Sequence, residues 1–187
     1  MPRRTYQNKD IYGYIAGLKS IVATTRFSDI TWGDNQRYLD RAQNDGTLSS
    51  KIQCMYPCSH VIGSNIPMNT NVMVLEMNNT TNKLMGVGLI KNISPLFNKY
   101  QVYEIERYNT YTYLGGYHIP VGDLNEEETK LFSILESLCF RGYRHQKRLT
   151  GITCFPYDIL YDYREEHGID LVVELTKMFK VRFMKAE

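Results

Sequence analysis

The chain has 187 residues, 43% hydrophobic and 22% charged. That balance belongs to a folded protein rather than a disordered one, and one core can serve residues 1–187 as a single domain. Its 22 basic and 20 acidic residues leave a net charge of +2, which excludes a surface that gathers polyanions indiscriminately, so any polyanion site must come from local clustering.

No apolar run reaches the roughly 18–20 residues that span a bilayer. The N-terminal "MPRRTYQNKD" has no apolar core of a secretory signal. An intracellular protein, cytoplasmic or nuclear, with no membrane partner is therefore expected. In chain order, apolar groups broken by glycine come first, and Leu18–Thr24 reads as a strand. "DNQRYLDRAQNDG" predicts a short helix from Asp34 to about Asn44, with Tyr38, Leu39 and Ala42 inward and Gly46 beyond its end. "CMYPCSH" gathers Cys54, Cys58 and His60. A structural zinc site needs a fourth ligand, which no second compact Cys/His pair supplies. Without an export signal these two cysteines, with Cys139 and Cys154, are expected to be reduced, with no metal and no cofactor bound.

"NVMVLEMNNTTNKLMGVGLIKN" carries the clearest alternation in the chain. Val72, Val74 and Glu76 interleave with Met73, Leu75 and Met77, and turn-forming residues follow. The pattern predicts two antiparallel strands over Asn71–Ile90, joined at Asn78–Asn82. Gly86 and Gly88, two apart on one strand face, mark a close approach by other groups. Tyr100–Pro120 predicts further strands, closed by Gly115–Gly116. Periodicity then changes. "NEEETKLFSILESLCFRG" predicts a helix capped by Asn125 with Glu128 three residues on, ending before Gly142. Two more helices are predicted, from Pro156 to Gly168 and over "DLVVELTKMFKVRF". The layout is α+β: a small curved sheet or barrel flanked by helices.

Catalytic motifs are missing. There is no phosphate-loop lysine pattern, no Gly-x-Ser-x-Gly elbow and no His-Glu-x-x-His. The four histidines are scattered, and the acidic runs suit solvated helix faces. Binding is favoured over catalysis, and no catalytic residue is assigned. Trp32, the sole tryptophan, has two readings. It is a core plug, or it is a pocket wall on which a flat ligand stacks while a neighbouring amide reads its edge.

"TWGDNQRYLDRA" followed by "NVMVLEMNNTTNKLMGVGLI" resembles the YTH and EVE domains of the PUA-like superfamily, over roughly residues 15–90. The matching positions are Trp32, Asn35, Leu39, Asp40 and Ala42, then Val74, Asn78, Lys83, Gly86 and Gly88. The resemblance implies a small β-barrel flanked by helices that holds a flipped or modified base in an aromatic cage. Trp32 would be one wall and Asn35 a polar reader. With no second tryptophan, the opposite wall would fall to a tyrosine: Tyr111 or Tyr113, or their neighbours Tyr108 and Tyr117.

The segment "CFRGYRHQKRLTGITCF" places Arg141, Arg144, Lys147 and Arg148 within eight residues, with His145 and Tyr143 among them. Two cations would suit the negative end of a helix. Four suit successive phosphates. The sequence thus points to a non-catalytic module that binds RNA or DNA through Trp32 and the basic segment. Two alternatives stand beside it. One is a cellular or viral interaction protein whose pocket is closed, and the other is an enzyme that modifies nucleic acid.

Overall fold

A computed structural model describes residues 8–184 of the protein. The chain is α+β, built in three layers. The middle layer is a five-stranded sheet in the order β7 (Tyr117–Pro120), β4 (Lys83–Lys91), β3 (Asn71–Asn78), β1 (Ser20–Phe27) and β8 (Thr153–Cys154). β1 and β3 run parallel, with Ile21 opposite Val72, and the other pairings are antiparallel. A second sheet, ordered β2 (Cys54–Cys58), β6 (Tyr111–Gly115), β5 (Leu96–Phe97), forms another layer. Helices α1 (Asn8–Gly17), α3 (Glu126–Phe140), α4 (Tyr157–His167) and α5 (Leu171–Phe183) supply the third. The described strands form two open sheets rather than the closed barrel that the sequence left as one option.

The alternation along β3 explains the layering. Met73, Leu75 and Met77 join Val22, Leu135, Leu160 and Leu175 in the core beneath the helices. Val72 and Val74 face Ile21, Ala23, Tyr56 and Tyr113 in the core shared with the smaller sheet. A strand covered on both faces reads as nearly continuous apolar sequence, and each large side chain so buried contributes about 1.5–3 kcal/mol. The register slips between Leu75 and Met77, a bulge centred on Glu76. The two strands predicted over Asn71–Ile90 are present and antiparallel, and Asn82 takes a positive φ of 56° in the turn between them.

The glycines of β4 do mark a close approach. A Cβ on Gly88 would lie 1.9 Å from the Tyr56 hydroxyl, and one on Gly86 would lie 2.8 Å from a Glu76 carboxylate oxygen. The polar groups they admit form a buried chain. Tyr56 donates to Glu76 Oε1 at 2.8 Å, and His118 Nε2 lies 2.8 Å from Glu76 Oε2. Burial lowers the His118 pKa, but the hydrogen bond and charge of Glu76, with the charge of Asp123, outweigh it and hold the pKa above the usual imidazole value.

Two local expectations need correction, and one stretch left unassigned folds as a helix. Residues 8–17 are helical despite Gly13 and Gly17, because Tyr14 packs on Tyr161 of α4 with ring centroids 5.7 Å apart. Packing overrides the glycine penalty there. α2 spans Asp29–Asn44, five residues earlier than predicted, because Ser28 and Thr31 form a reciprocal capping box. Residues 100–110 are not strands. The buried Asn109 side chain accepts from the Val102 and Tyr103 amides, both at 2.9 Å, and donates to the Tyr103 carbonyl at 2.7 Å. It does the work of a strand partner, so the segment folds as a loop ending in a 3-10 turn at Glu106–Asn109.

The three late helices form where periodicity placed them. Asn125 and Glu128 cap α3 reciprocally, and Gly168 ends α4 in the left-handed region at φ 69°.

Candidate functional site

Three loops are braced at the start of α2. The Asn79 amide N–H donates to the Phe27 carbonyl at 2.7 Å, and Asn78 Nδ2 donates to Asp29 Oδ1 at 2.7 Å. These bonds tie the β3–β4 turn to the helix start. Asn79 Nδ2 donates to the Lys147 carbonyl at 3.0 Å, which brings the basic segment to the same place.

Arg26, the penultimate residue of β1, completes the brace. Its Nε donates to the Gln146 carbonyl at 2.7 Å and its Nη1 to Thr153 Oγ1 at 2.7 Å, with the Gly151 carbonyl at 3.2 Å. Nη2 donates to Thr24 Oγ1 at 2.6 Å. Burial lowers the Arg26 pKa to about 10, which leaves it charged at neutral pH. All of its hydrogen-bond acceptors among the described residues are neutral, so among these residues a largely buried cation stands without a carboxylate.

Beside Arg26 lies a cavity of about 350 Å³. Phe27, Tyr103 and Tyr108 give it aromatic walls, and Ser28, Thr31, Ser59 and Thr150 line it with hydroxyls. Asn109 fixes the loop that carries both tyrosines, and the Tyr103 hydroxyl accepts from Asn35 Nδ2 at 3.4 Å. The exposed Arg107 guanidinium sits 5.1 Å over the Tyr108 ring. Asn79 also lines the cavity, and its Oδ1 is buried with no hydrogen-bond partner among the described residues. A buried acceptor left open is costly, and this one belongs to a residue of the cavity lining.

The residues singled out from sequence are spread around this cavity rather than gathered in it. Trp32 is half-buried and lies edge-on to Phe27, centroids 5.1 Å apart, on the other side of the helix start. There it lines a separate concavity with Asp29 and Phe132. Asn35 is 2% exposed and donates to the Met55 carbonyl at 3.0 Å as well as to Tyr103. It therefore positions a wall residue and does not face the cavity. Tyr113 is buried, its hydroxyl accepting from the Ile62 amide at 2.9 Å, and Tyr111 stacks against Phe97 at 5.6 Å. Both belong to the small sheet, and neither stands opposite Trp32. Of the four tyrosines considered for the second wall, Tyr108 is the one at the cavity.

The basic segment also divides. Arg144 is paired with Asp158, with Asp162 at 3.9 Å. Lys147 donates to Asn82 Oδ1 at 2.7 Å. Arg148 is exposed and immediately precedes Leu149, Thr150 and Gly151, which line the cavity. Arg141 is exposed at the end of α3 and faces elsewhere.

Sequence reasoning missed Arg26, Asn79, Tyr103 and Arg107. The available signal was an arginine inside the apolar strand "SIVATTRF", a position that demands buried acceptors. Cys54 and Cys58 lie on one face of β2, about 13 Å apart at strand spacing, too far to share a metal. Cys58 Sγ instead donates to the His60 carbonyl at 3.1 Å. Among the described residues no three His, Cys, Asp or Glu side chains converge as ligands, and no helix is long and apolar enough to cross a membrane.

Comparison with protein-family models, with curated proteins and with solved structures finds no significant match.

Proposed function

We propose that the protein is a non-catalytic module that binds single-stranded nucleic acid, holding one base in the cavity walled by Phe27, Tyr103 and Tyr108. The observation that carries this reading is the conjunction of aromatic walls and the unsatisfied Asn79 amide in the cavity lining with two exposed cations next to lining residues, Arg107 beside Tyr108 and Arg148 beside Leu149. Aromatic faces stack on any base, an amide oxygen reads a base N–H, and exposed arginines next to the lining meet the flanking phosphates. Arg26, lacking a counter-charge, makes the cavity floor favourable for an electron-rich carbonyl edge.

The resemblance to YTH and EVE domains supports the same reading, since those domains hold a base between aromatic groups at the start of a helix. On this reading the fold is PUA-like in an open form, with tyrosines in place of a second tryptophan. No His or carboxylate stands among the cavity-lining residues to act as a general base, so binding rather than turnover is the function proposed.

The test is fluorescence anisotropy of labelled single-stranded RNA and DNA across a salt series. Binding is expected to weaken as salt rises. Tyr108→Ala is expected to weaken it about 5- to 150-fold with the salt slope unchanged, the loss of roughly 1–3 kcal/mol of stacking. Salt-independent behaviour, or no binding to either polymer at low salt, would overturn the proposal.

A further inference from the structure

The concavity beside Trp32 does not belong to the base cavity, and it does not end at Trp32. Two adjoining hollows of about 560 and 830 Å³ share Lys83, Ser133 and Glu136. Together they make one trough between the β3–β4 turn and α3. The lining residues of α3 and its C-cap run from Thr129 to Arg141. At 1.5 Å per residue this is about 18 Å, the reach of five or six extended residues.

The two ends differ in chemistry. Around Trp32 the lining is apolar: Leu84, Met85, Val121, Leu124 and Phe132. At the other end stand Lys83, Lys130, Arg141 and Lys147 against a single carboxylate, Glu136. Glu136 is already engaged, 2.9 Å from the Lys83 ammonium and accepting from the Leu84 amide at 3.1 Å. Lys147 meets a neutral amide, and among the described residues Lys130 and Arg141 have no ion-pair partner. Positive charge therefore collects at one end without compensation.

A groove that follows a nucleic-acid backbone carries cations along its length. This trough does not, because its apolar half holds Asp29 and gains a cation only at Lys83, where the hollows join.

We propose that the trough is a docking groove for an extended acidic segment of a partner protein, with one apolar or aromatic side chain anchored beside Trp32 and its carboxylates over Lys130, Arg141 and Lys147. Apolar anchoring with charge matched at the rim is how short acidic motifs are recognised. This inference is independent of the base cavity.

Trp32 is the only tryptophan, so its fluorescence reports occupancy directly. The experiment titrates the whole protein with an amidated hexapeptide, phenylalanine followed by glycine and four glutamates, and with a second peptide carrying glutamine in place of each glutamate. A saturable change in tryptophan emission with the acidic peptide is expected, weakening with salt and absent with the glutamine peptide. Lys130→Gln combined with Arg141→Gln is expected to raise Kd roughly 2- to 30-fold, the effect of two exposed charge pairs. Both residues are exposed, and the charge is also varied on the peptide, so the test does not depend on the variant folding. Equal response to the two peptides, or no response up to millimolar concentration, would overturn the proposal. So would a single-stranded oligonucleotide that quenches Trp32 and loses that effect in the same variant.

Discussion

Arg26 and His118 are single residues whose partners are the informative part. Arg26→Met keeps most of the volume but removes the donors that satisfy Gln146, Gly151 and Thr153. The expected loss is about 2–4 kcal/mol, since charge-assisted hydrogen bonds are replaced by unpaired acceptors. A lower urea midpoint with unchanged m-value would record it. A shift under about 0.5 kcal/mol would mean that solvent replaces the guanidinium at no cost. His118 gives a pH dependence of definite sign. Its pKa is raised in the folded protein, so its contribution is complete below the unfolded value, about 6.5, and is lost as pH rises through the higher folded value. The difference in Tm between the native protein and His118→Gln is therefore expected to be largest at acidic pH and to shrink toward pH 8. A difference that grows with pH would contradict the pairing with Glu76. The sequence shows both residues as polar intrusions in apolar strands, but an intrusion does not name its partner. Glu76 lies 42 residues from His118, and Arg26 lies 120 from Gln146.

Between the elements, the basic segment is the clearest case of charge that sequence cannot sort. Its four cations look equivalent in "RGYRHQKR", yet α4 takes Arg144 through Asp158 and Asp162, while the segment's backbone is held by Arg26 and Asn79. The salt dependence of nucleic-acid binding should reflect that division. Arg144→Gln is expected to leave the slope of log K against log salt unchanged. Arg107→Gln with Arg148→Gln is expected to flatten it by up to about 1.4, near 0.7 for each single-strand phosphate contact. The opposite ranking would move the phosphate path onto α4. Elements with strong local signals were legible: the β3–β4 pair from its alternation, and α3 from Asn125 and Glu128. The loop at residues 100–110 was not. Its tyrosines and valine have strand propensity, and the buried Asn109 side chain, bonded six and seven residues back, closes them into a loop instead.

At the scale of the whole molecule, the three layers put the starts of α2, the β3–β4 turn, the Tyr103–Tyr108 loop and the basic segment at one end. The resemblance over residues 15–90 takes in two of these elements, the helix start and the turn. It does not reach Tyr103 and Tyr108, so Trp32 and Asn35 were expected at a cavity whose lining instead includes Tyr103, Tyr108 and Asn79. Two surfaces result, one on each side of the helix start: an aromatic cavity, proposed above to take a base, and a trough with one apolar and one cationic end, proposed to take an acidic peptide. The most direct measurement of the central claim compares a short single strand with the same sugar–phosphate strand lacking its bases, at one salt concentration. The base-bearing strand is expected to bind about 5- to 150-fold more tightly, the worth of roughly 1–3 kcal/mol of stacking, with Tyr108→Ala closing most of that gap. Equal affinity for the two strands would contradict a base held in the cavity and leave phosphate attraction as the whole of the binding.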